Sequence, residues 1–160
     1  MFEIGDTVLY PLYGVGTIRG IREMEVLGNI GRYYVLEVAA TGMSVMLPIA
    51  DDKNLGLREV VDKETALSIL ESFAEIQADS CQNWNKRYRE NMELLKTGTI
   101  AGAARVVRSL MGREIAKGLS TGERRMYVQA KQILLSELEV ATGISAKELE
   151  LRLYNSLTVS

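Results

Sequence analysis

The sequence predicts an α+β protein in which a small antiparallel β-barrel precedes a compact domain of about five helices. In the first third of the chain, short apolar and β-branched runs alternate with glycine turns, whereas later the apolar residues recur at helical spacing. The charge changes with the pattern: residues 1–83 contain 6 Lys/Arg and 13 Asp/Glu, and residues 84–131 contain 11 and 4. We therefore predict two modules, residues 1–52 and residues 53–160, with different partners.

Glycine turns divide the N-terminal module into short strands. The predicted strands are Thr7–Tyr10, residues 14 to about 26, residues 32–38 and residues 43–48. Four or five such strands are typical of a strongly bent SH3- or Tudor-type barrel, with Pro48 at an edge or terminus. The spacing of Gly14, Gly16 and Gly20 does not match a dinucleotide-binding fingerprint, because the third glycine is displaced and strand follows it.

Helical periodicity and capping signals organise the rest of the chain. The predicted helices cover residues 63 to about 74, 84–96, 100–117, 121 to about 143, and 146 onward. Two Ser-x-x-Glu capping boxes, which begin at Ser120 and Ser145, are fairly specific helix-start signals. Five helices of this length predict a compact bundle.

Composition excludes several functional classes. The chain has no histidine and one cysteine, Cys81, so neither a zinc site nor a histidine-based catalytic triad is expected, and we predict no cofactor. Carboxylates such as Asp51 and Asp52 could act as acid and base, but no spacing singles out a pair. No apolar run approaches the ~18 residues of a membrane span, and no N-terminal segment resembles a signal peptide. A lone cysteine fits a reducing compartment, so we expect a cytoplasmic protein.

The segment from Asn83 to Asn91 carries the strongest functional signal, because it contains the only tryptophan, Trp84. A large apolar ring flanked by cations is suited to contact a nucleic-acid backbone and press into a base step. The cations within five residues of the ring are Lys86, Arg87 and Arg89. The segment therefore predicts a nucleic-acid contact, with a buried role for the ring as the alternative.

That alternative comes from helical spacing. One helical stripe contains Trp84, Tyr88, Met92 and Leu95. A stripe of this kind is more often part of a core than of a binding surface, so spacing alone favours a buried tryptophan. Further cations lie on the helix after the first capping box, where Arg124 and Lys131 are seven residues apart and Arg125 is adjacent. They could extend a cationic surface beside Trp84 or simply form a solvated helix face.

Three motifs resemble one family. The pattern Gly5-Asp6-Thr7-Val8, followed by Tyr10-Pro11 and Gly14, resembles the N-terminus of the bacterial CarD/CdnL transcription regulators. Asn83-Trp84, followed by Arg87-Tyr88 and Leu94, resembles their DNA-contacting segment. The run from Gly118 to Met126, continuing through residues 130–138, resembles their signature helix. The resemblance covers nearly the whole chain in order, and the combination is specific although each tetrapeptide alone is weak.

The resemblance implies a transcription regulator without enzymatic activity. Its Tudor-like domain, shared with transcription-repair coupling factors, would bind the β-subunit lobe of RNA polymerase. Its helical domain would contact promoter DNA at the upstream edge of the −10 element, with Trp84 in the minor groove, and favour the open complex. The DNA contacts implied by the resemblance are Asn83, Trp84, Lys86, Arg87, Arg89, Arg124, Arg125 and Lys131.

The barrel departs from the family pattern at two positions. Two polymerase-facing arginines of characterised relatives align with Met24 and Met46, and methionine can pack against a lobe but cannot pair with its carboxylates. Arg22 could supply the missing charge. The predicted polymerase-binding residues are Arg22, Met24, Val45, Met46 and Pro48.

Two other functional classes remain as alternatives. In the first, the protein is an interaction module whose basic helical face binds an acidic protein, and Trp84 is a hot spot for that partner. In the second, it is an enzyme that uses carboxylates, which the absence of histidine and of a recognisable site argues against. Loss of promoter opening in Trp84→Ala, with polymerase binding intact, would discriminate against the interaction module.

Overall fold

The computed structural model of the protein describes residues 1–78 and 83–158, apart from the side chains of Asp52 and Lys53. It confirms the predicted α+β class: an antiparallel five-stranded sheet is followed by a helical domain. Cys81 lies outside the described residues. None of the helices in the described ranges has the length and apolarity that a membrane span needs.

The N-terminal sheet has the strand order β4-β3-β2-β1-β5. Its strands are β1 Thr7–Tyr10, β2 Gly14–Val26, β3 Asn29–Val38, β4 Ser44–Pro48 and β5 Arg58–Glu59. The third strand begins three residues earlier than predicted, because the β2–β3 turn takes only two residues, Leu27 and Gly28. The small core inside the barrel consists of Val8, Ile18, Tyr34, Leu36 and Leu47.

The connection to the helical domain contains elements that the sequence patterns did not predict. A 3-10 turn at Ile49–Asp51 and the short helix α1 at Asp52–Leu55 lead into β5. This two-residue strand pairs with β1, so the sheet includes residues beyond the predicted boundary between residues 52 and 53. These elements are too short to produce a periodic pattern of their own. The division at residue 52 stays a prediction.

The helical domain follows the capping signals closely. Its helices are α2 Lys63–Ser72, α3 Trp84–Lys96, α4 Ile100–Ala116, α5 Thr121–Thr142 and α6 Ala146–Thr158, with a 3-10 turn at Phe73–Glu75 after α2. Side chains at the predicted starts accept backbone N–H groups, as Asn83 does from Lys86 at 3.1 Å. Helix α5 packs against α2, α3, α4 and α6 and also contacts β2, so it is the central element.

The two parts of the chain share one apolar core. Leu9 of β1 and Val15 of β2 are buried among residues of the helices rather than inside the barrel. Arg58 of β5 donates to both carboxylate oxygens of Glu137 on α5, at 2.6 and 2.7 Å. The carboxylate of Glu137 is almost fully buried and also accepts the backbone N–H of Val61. These contacts join the barrel directly to α5.

Candidate nucleic-acid interface

Trp84 lies at the start of α3 with 46% of its surface exposed, so it is not a core residue. Along the apolar stripe from Trp84 to Leu95, Tyr88 and Met92 are partly buried against the core and Leu95 is fully buried. The buried line of α3 contains Arg87, Asn91 and Leu95 instead. Spacing alone favoured a core tryptophan, and that interpretation is wrong because the helix is rotated to bury the neighbouring line.

The exposed indole is nevertheless held on several sides. It stacks on Tyr88, with ring centroids 5.9 Å apart and an angle of 21° between the planes. Its Nε1–H donates to the Oγ of Ser120 at 3.2 Å. A Cβ atom at Gly122 would lie 3.7 Å from the ring edge, so the backbone of α5 passes close beside the indole. The ring presents an apolar surface to solvent in a defined orientation.

Arg87 does not belong to the exposed cationic surface, which corrects its predicted role as a DNA-backbone contact. Its side chain is 3% exposed, and its Nε and Nη2 donate to the Glu123 carboxylate at 2.8 and 3.1 Å. Arg113 approaches the same carboxylate at 3.8 Å. The bond from Arg87, more than any other interaction, holds the pKa of Glu123 below its ordinary value. Arg87 is therefore a buried link between α3 and α5 and is not available to a phosphate.

The cations Lys86 and Arg89 of α3 do face solvent. Lys86 lies 3.9 Å from Glu90, and both side chains are at least half exposed. Within the described residues, Arg89 has no ionic partner. An open groove of about 900 Å³ runs along α3, lined in part by these two cations together with Lys96 of α3 and Arg105 of α4. Lys96 was not among the predicted contacts.

The cations of α5 differ from one another. Arg125 is exposed and has no ionic partner in the described part of the chain, so it is free to meet a phosphate. Arg124 pairs with Glu114 at 3.2 Å but remains half exposed. Lys131 is enclosed: its Nζ lies 3.0 Å from Glu150 and 4.7 Å from the centre of the Tyr127 ring. We therefore remove Lys131 from the candidate contacts, because its charge is neutralised at α6.

Asn83 and the start of α5 complete the surroundings of Trp84. Asn83 caps α3 through its side-chain oxygen, and it is exposed. Ser120 caps α5 by accepting the N–H of Glu123 at 3.3 Å. Two helix N-termini, those of α3 and α5, therefore begin beside the exposed indole. Backbone N–H groups and the positive end of the helix dipole favour a negatively charged group at such a place.

A second candidate surface lies on the outer side of the barrel. Residues that are directly opposite in antiparallel strands share a face, and here Arg22 is paired with Tyr33 and Tyr33 with Pro48. The face, which we call the outer barrel face, comprises Arg22, Met24, Val26, Tyr33, Val35, Met46 and Pro48. Four of the five predicted polymerase contacts therefore lie together. Tyr33 and Val35 join them, although the patterns in the sequence did not single them out.

Val45 is the exception, and its predicted role is corrected. It is paired with Leu36, whose side chain is buried, and it packs against the barrel core. Its side chain therefore points to the opposite side of the sheet from Met46. The run of three apolar residues, Val45, Met46 and Leu47, obscures this phase in the sequence, although exposed Ser44, two residues before Met46, marks the outer side.

The outer barrel face ends in an apolar hairpin tip. Leu27 is 97% exposed and has a positive φ of 52°, and Gly28 follows with a φ of 81°. A two-residue turn of this type normally has Asn-Gly or Asp-Gly, because both residues must adopt the left-handed backbone conformation. Leu27 is thus both strained and exposed to water. A large apolar side chain in such a place favours a contact with a partner over a role in folding.

Comparison with known proteins matches both parts of the chain. A family model described as the CarD-like/TRCF RID domain covers residues 2–61, and one described as the CarD C-terminal domain covers residues 67–154. The Bacillus subtilis (strain 168) protein named "Putative transcription factor YdeB" is 37% identical over 150 residues, which is 94% of this chain and 98% of the relative. A solved structure, "CdnLNt from Myxoccoccus xanthus", is 41% identical over 38% of this chain and 86% of its own, with a TM-score of 0.33.

Proposed function

The chain belongs to the CarD/CdnL family of transcription regulators, and on that premise we propose that it binds RNA polymerase and promoter DNA together. The barrel would bind the lobe of the polymerase β subunit. The helical domain would contact DNA at the upstream edge of the −10 element and prolong the open complex. The proposed DNA contacts are Trp84, Asn83, Lys86, Arg89, Arg124 and Arg125.

The observation that carries this proposal is the exposure of Trp84. An apolar ring that is half exposed and held beside exposed cations contributes less to folding than a buried ring would. It is suited to enter a minor groove, where an inserted apolar side chain unstacks a base step and the cations hold the backbone. Unstacking costs a few kcal/mol, which a ring fixed in advance can offset by packing against the bases. A promoter that is already partly melted lowers this cost further.

The outer barrel face supports the polymerase half of the proposal. Its exposed side chains are mainly apolar, with Arg22 as the cation, and they extend to Leu27 at the hairpin tip. Such a face fits a protein partner better than a nucleic acid, because it offers few groups to pair with phosphates. Met24 and Met46 can adapt their side chains to a partner surface. We propose that apolar packing replaces the two arginine contacts expected from characterised relatives.

The two surfaces would act together. The chain has a formal net charge of −2 and an isoelectric point near 5.4, so it is poorly suited to bind free DNA at physiological salt. Attachment to the polymerase would hold the Trp84 surface near the promoter at a high effective concentration. The ion pair between Arg58 and Glu137 would keep the distance between the two surfaces constant.

The test is a reconstituted transcription assay. The purified protein should co-elute with RNA polymerase holoenzyme, and its addition should lengthen the lifetime of promoter open complexes after a competitor challenge. Failure to co-elute at tens of micromolar concentration would refute the polymerase half. Co-elution without any effect on open-complex lifetime or promoter DNA would instead favour a module that binds an acidic protein.

A further inference from the structure

We propose that Ser120 is a positioning residue for Trp84, and that it orients the indole before DNA binds. This inference rests on the proposed function of Trp84 as a minor-groove wedge. Ser120 lies 36 residues away in sequence and on a different helix, and it reaches the indole only in the folded protein. Its hydroxyl connects the exposed ring to the buried charge network between α3 and α5.

The Oγ atom of Ser120 has a defined set of partners. It accepts the indole Nε1–H of Trp84 at 3.2 Å and the backbone N–H of Glu123 at 3.3 Å. Its own O–H donates to the Glu123 carboxylate at 3.4 Å. A hydroxyl has one donor and two acceptor sites, so these three contacts use its full capacity. The hydroxyl proton points to Glu123, which leaves the lone pairs for the two N–H groups.

Glu123 is itself fixed by Arg87, so the contacts form a closed loop. Arg87 follows Trp84 by three residues on α3, and its guanidinium donates to Glu123 at two points. The path from Trp84 through Ser120 and Glu123 to Arg87 therefore returns to the helix on which it began. Arg87 and Glu123 are buried, and the exposed Ser120 is held by its two contacts with Glu123. The exposed ring is thereby attached, through Ser120, to a buried ion pair.

The consequence for binding is preorganisation. A free indole would sample several χ1 and χ2 rotamers, and insertion into a groove would require it to give up that freedom. The stack on Tyr88 limits the tilt of the ring, and the bond to Ser120 fixes its rotation about χ2. Loss of the bond should reduce open-complex lifetime by about two- to tenfold, the effect typical of one side chain that must be ordered on binding.

The first measurement concerns the free protein. Trp84 is the only tryptophan, so a single indole N–H signal reports on the bond in a proton–nitrogen spectrum. Ser120→Gly removes the hydroxyl and costs only a few tenths of a kcal/mol as a helix cap. We expect the indole signal to shift and its hydrogen exchange to accelerate severalfold. Ser120→Thr, which keeps a hydroxyl, should restore both values toward those of the parent.

The matched control is Ser145, which accepts the N–H of Glu148 at the start of α6 with the same capping geometry. Ser145→Gly loses a comparable cap but has no contact with the indole among the described residues. Open-complex lifetime should fall in Ser120→Gly, recover in Ser120→Thr and stay at the parent value in Ser145→Gly. Melting temperatures of the three variants would identify any general loss of stability.

The outcomes separate this inference from the proposed function. An unchanged indole signal in Ser120→Gly, or equal open-complex lifetimes in Ser120→Gly and Ser145→Gly, would overturn the positioning role while Trp84→Ala still shortens the lifetime. A parent-like lifetime in Trp84→Ala would overturn the wedge function itself. That result would also exclude a role for Ser120 in promoter opening, whatever its effect on the indole signal.

Discussion

Arg87 and Glu123 form a buried ion pair, with two hydrogen bonds at 2.8 and 3.1 Å, that joins α3 to α5 directly behind Trp84. Both side chains are 3% exposed. The pair lies beneath the candidate DNA-binding surface and takes no part in it. The surface thus has two layers: cations that face solvent, and an internal charge pair that holds the two helices which carry them.

Removal of Arg87 should therefore affect stability before it affects DNA binding. Arg87→Ala leaves the Glu123 carboxylate buried, with Arg113 as its remaining cation, and loss of one partner of a buried pair costs roughly 3–5 kcal/mol. Arg89→Ala, two residues away and exposed, should change the free energy of unfolding by less than about 0.5 kcal/mol. Urea denaturation of both variants checks this. Equal stabilities would show that Arg87 is not the internal link described here.

Cations on the outer layer should control the salt dependence of promoter binding. Arg125→Glu removes an exposed charge that has no ionic partner among the described residues, so the slope of log affinity against log salt should fall by about one for the lost phosphate contact. Lys131→Glu is the matched control on the same helix, because Lys131 is already paired with Glu150. Binding of the polymerase complex to promoter DNA, measured across salt concentrations, should distinguish them. A parent-like slope in Arg125→Glu would exclude Arg125 as a contact.

Comparison of Arg87 with Arg89 shows how far the sequence could predict the site. The bounds of α3 matched the prediction, because an N-cap at Asn83 and Gly98 beyond its end are local signals. The packing of α3 against α5 determines that Arg87 faces inward and Arg89 outward. Both residues are arginines, so their charge could not indicate which of them would be buried. One signal did exist: Arg87, Asn91 and Leu95 follow one another at intervals of four residues, the spacing of a line along one face of a helix.

The partner of Arg87 was less accessible to prediction. Glu123 matches the last position of a capping box, where its side chain is expected to reach back to the first residue of the box. In the structure its carboxylate accepts the Ser120 hydroxyl at 3.4 Å but is also bound by Arg87 and Arg113. A contact between residues 36 positions apart is tertiary, so local patterns do not contain it. The same limit applies to Ser120, whose role beside the indole cannot be inferred from its role as a cap.

The hairpin tip provides a test of the polymerase contact in which stability and binding should change in opposite directions. Leu27→Asn places a favoured residue in the left-handed turn position and should stabilise the protein by about 0.5–1 kcal/mol. It also removes the most exposed apolar side chain of the barrel, so affinity for polymerase should fall severalfold. Val140→Gln, which removes a half-exposed apolar side chain from α5, should leave polymerase affinity unchanged. Unaltered affinity in Leu27→Asn would exclude the tip from the interface.

Acid should weaken the internal charge pair only below the ordinary titration range of glutamate. The hydrogen bond from Arg87 lowers the pKa of Glu123 from its ordinary 4.5. Its stabilising contribution is therefore fully present above about pH 4.5 and is lost as the pH falls through the lowered folded-state value. In Glu123→Gln the melting temperature should decline less steeply with acid than in the parent. The control Glu64→Gln, at an exposed position, should keep the parent's pH dependence. Identical profiles for Glu123→Gln and the parent would contradict this role.

Trp84→Ala is the decisive variant for the proposed function, because it distinguishes a wedge from a core residue. Loss of a wedge should shorten the open-complex lifetime with a small loss of stability, whereas loss of a core residue should do the reverse. A fully buried tryptophan would cost roughly 3–5 kcal/mol on truncation, but Trp84 is 46% exposed, so we expect a loss of about 1–2 kcal/mol. Polymerase affinity should be unchanged, since the barrel is not altered. Open-complex lifetime should fall severalfold or more, because nothing then offsets the unstacking of the base step.

Tyr154→Ala is the control for that experiment. Tyr154 is also an aromatic residue with 46% exposure, but it lies on α6, so its truncation should shift the melting temperature without shortening the open complex. Trp84→Phe adds a second comparison, because it keeps a smaller apolar ring and loses the donor to Ser120. Its open-complex lifetime should lie between those of the parent and Trp84→Ala. A large loss of stability in Trp84→Ala, with normal promoter opening once the protein is kept folded, would mean that the ring supports the fold and is not a wedge.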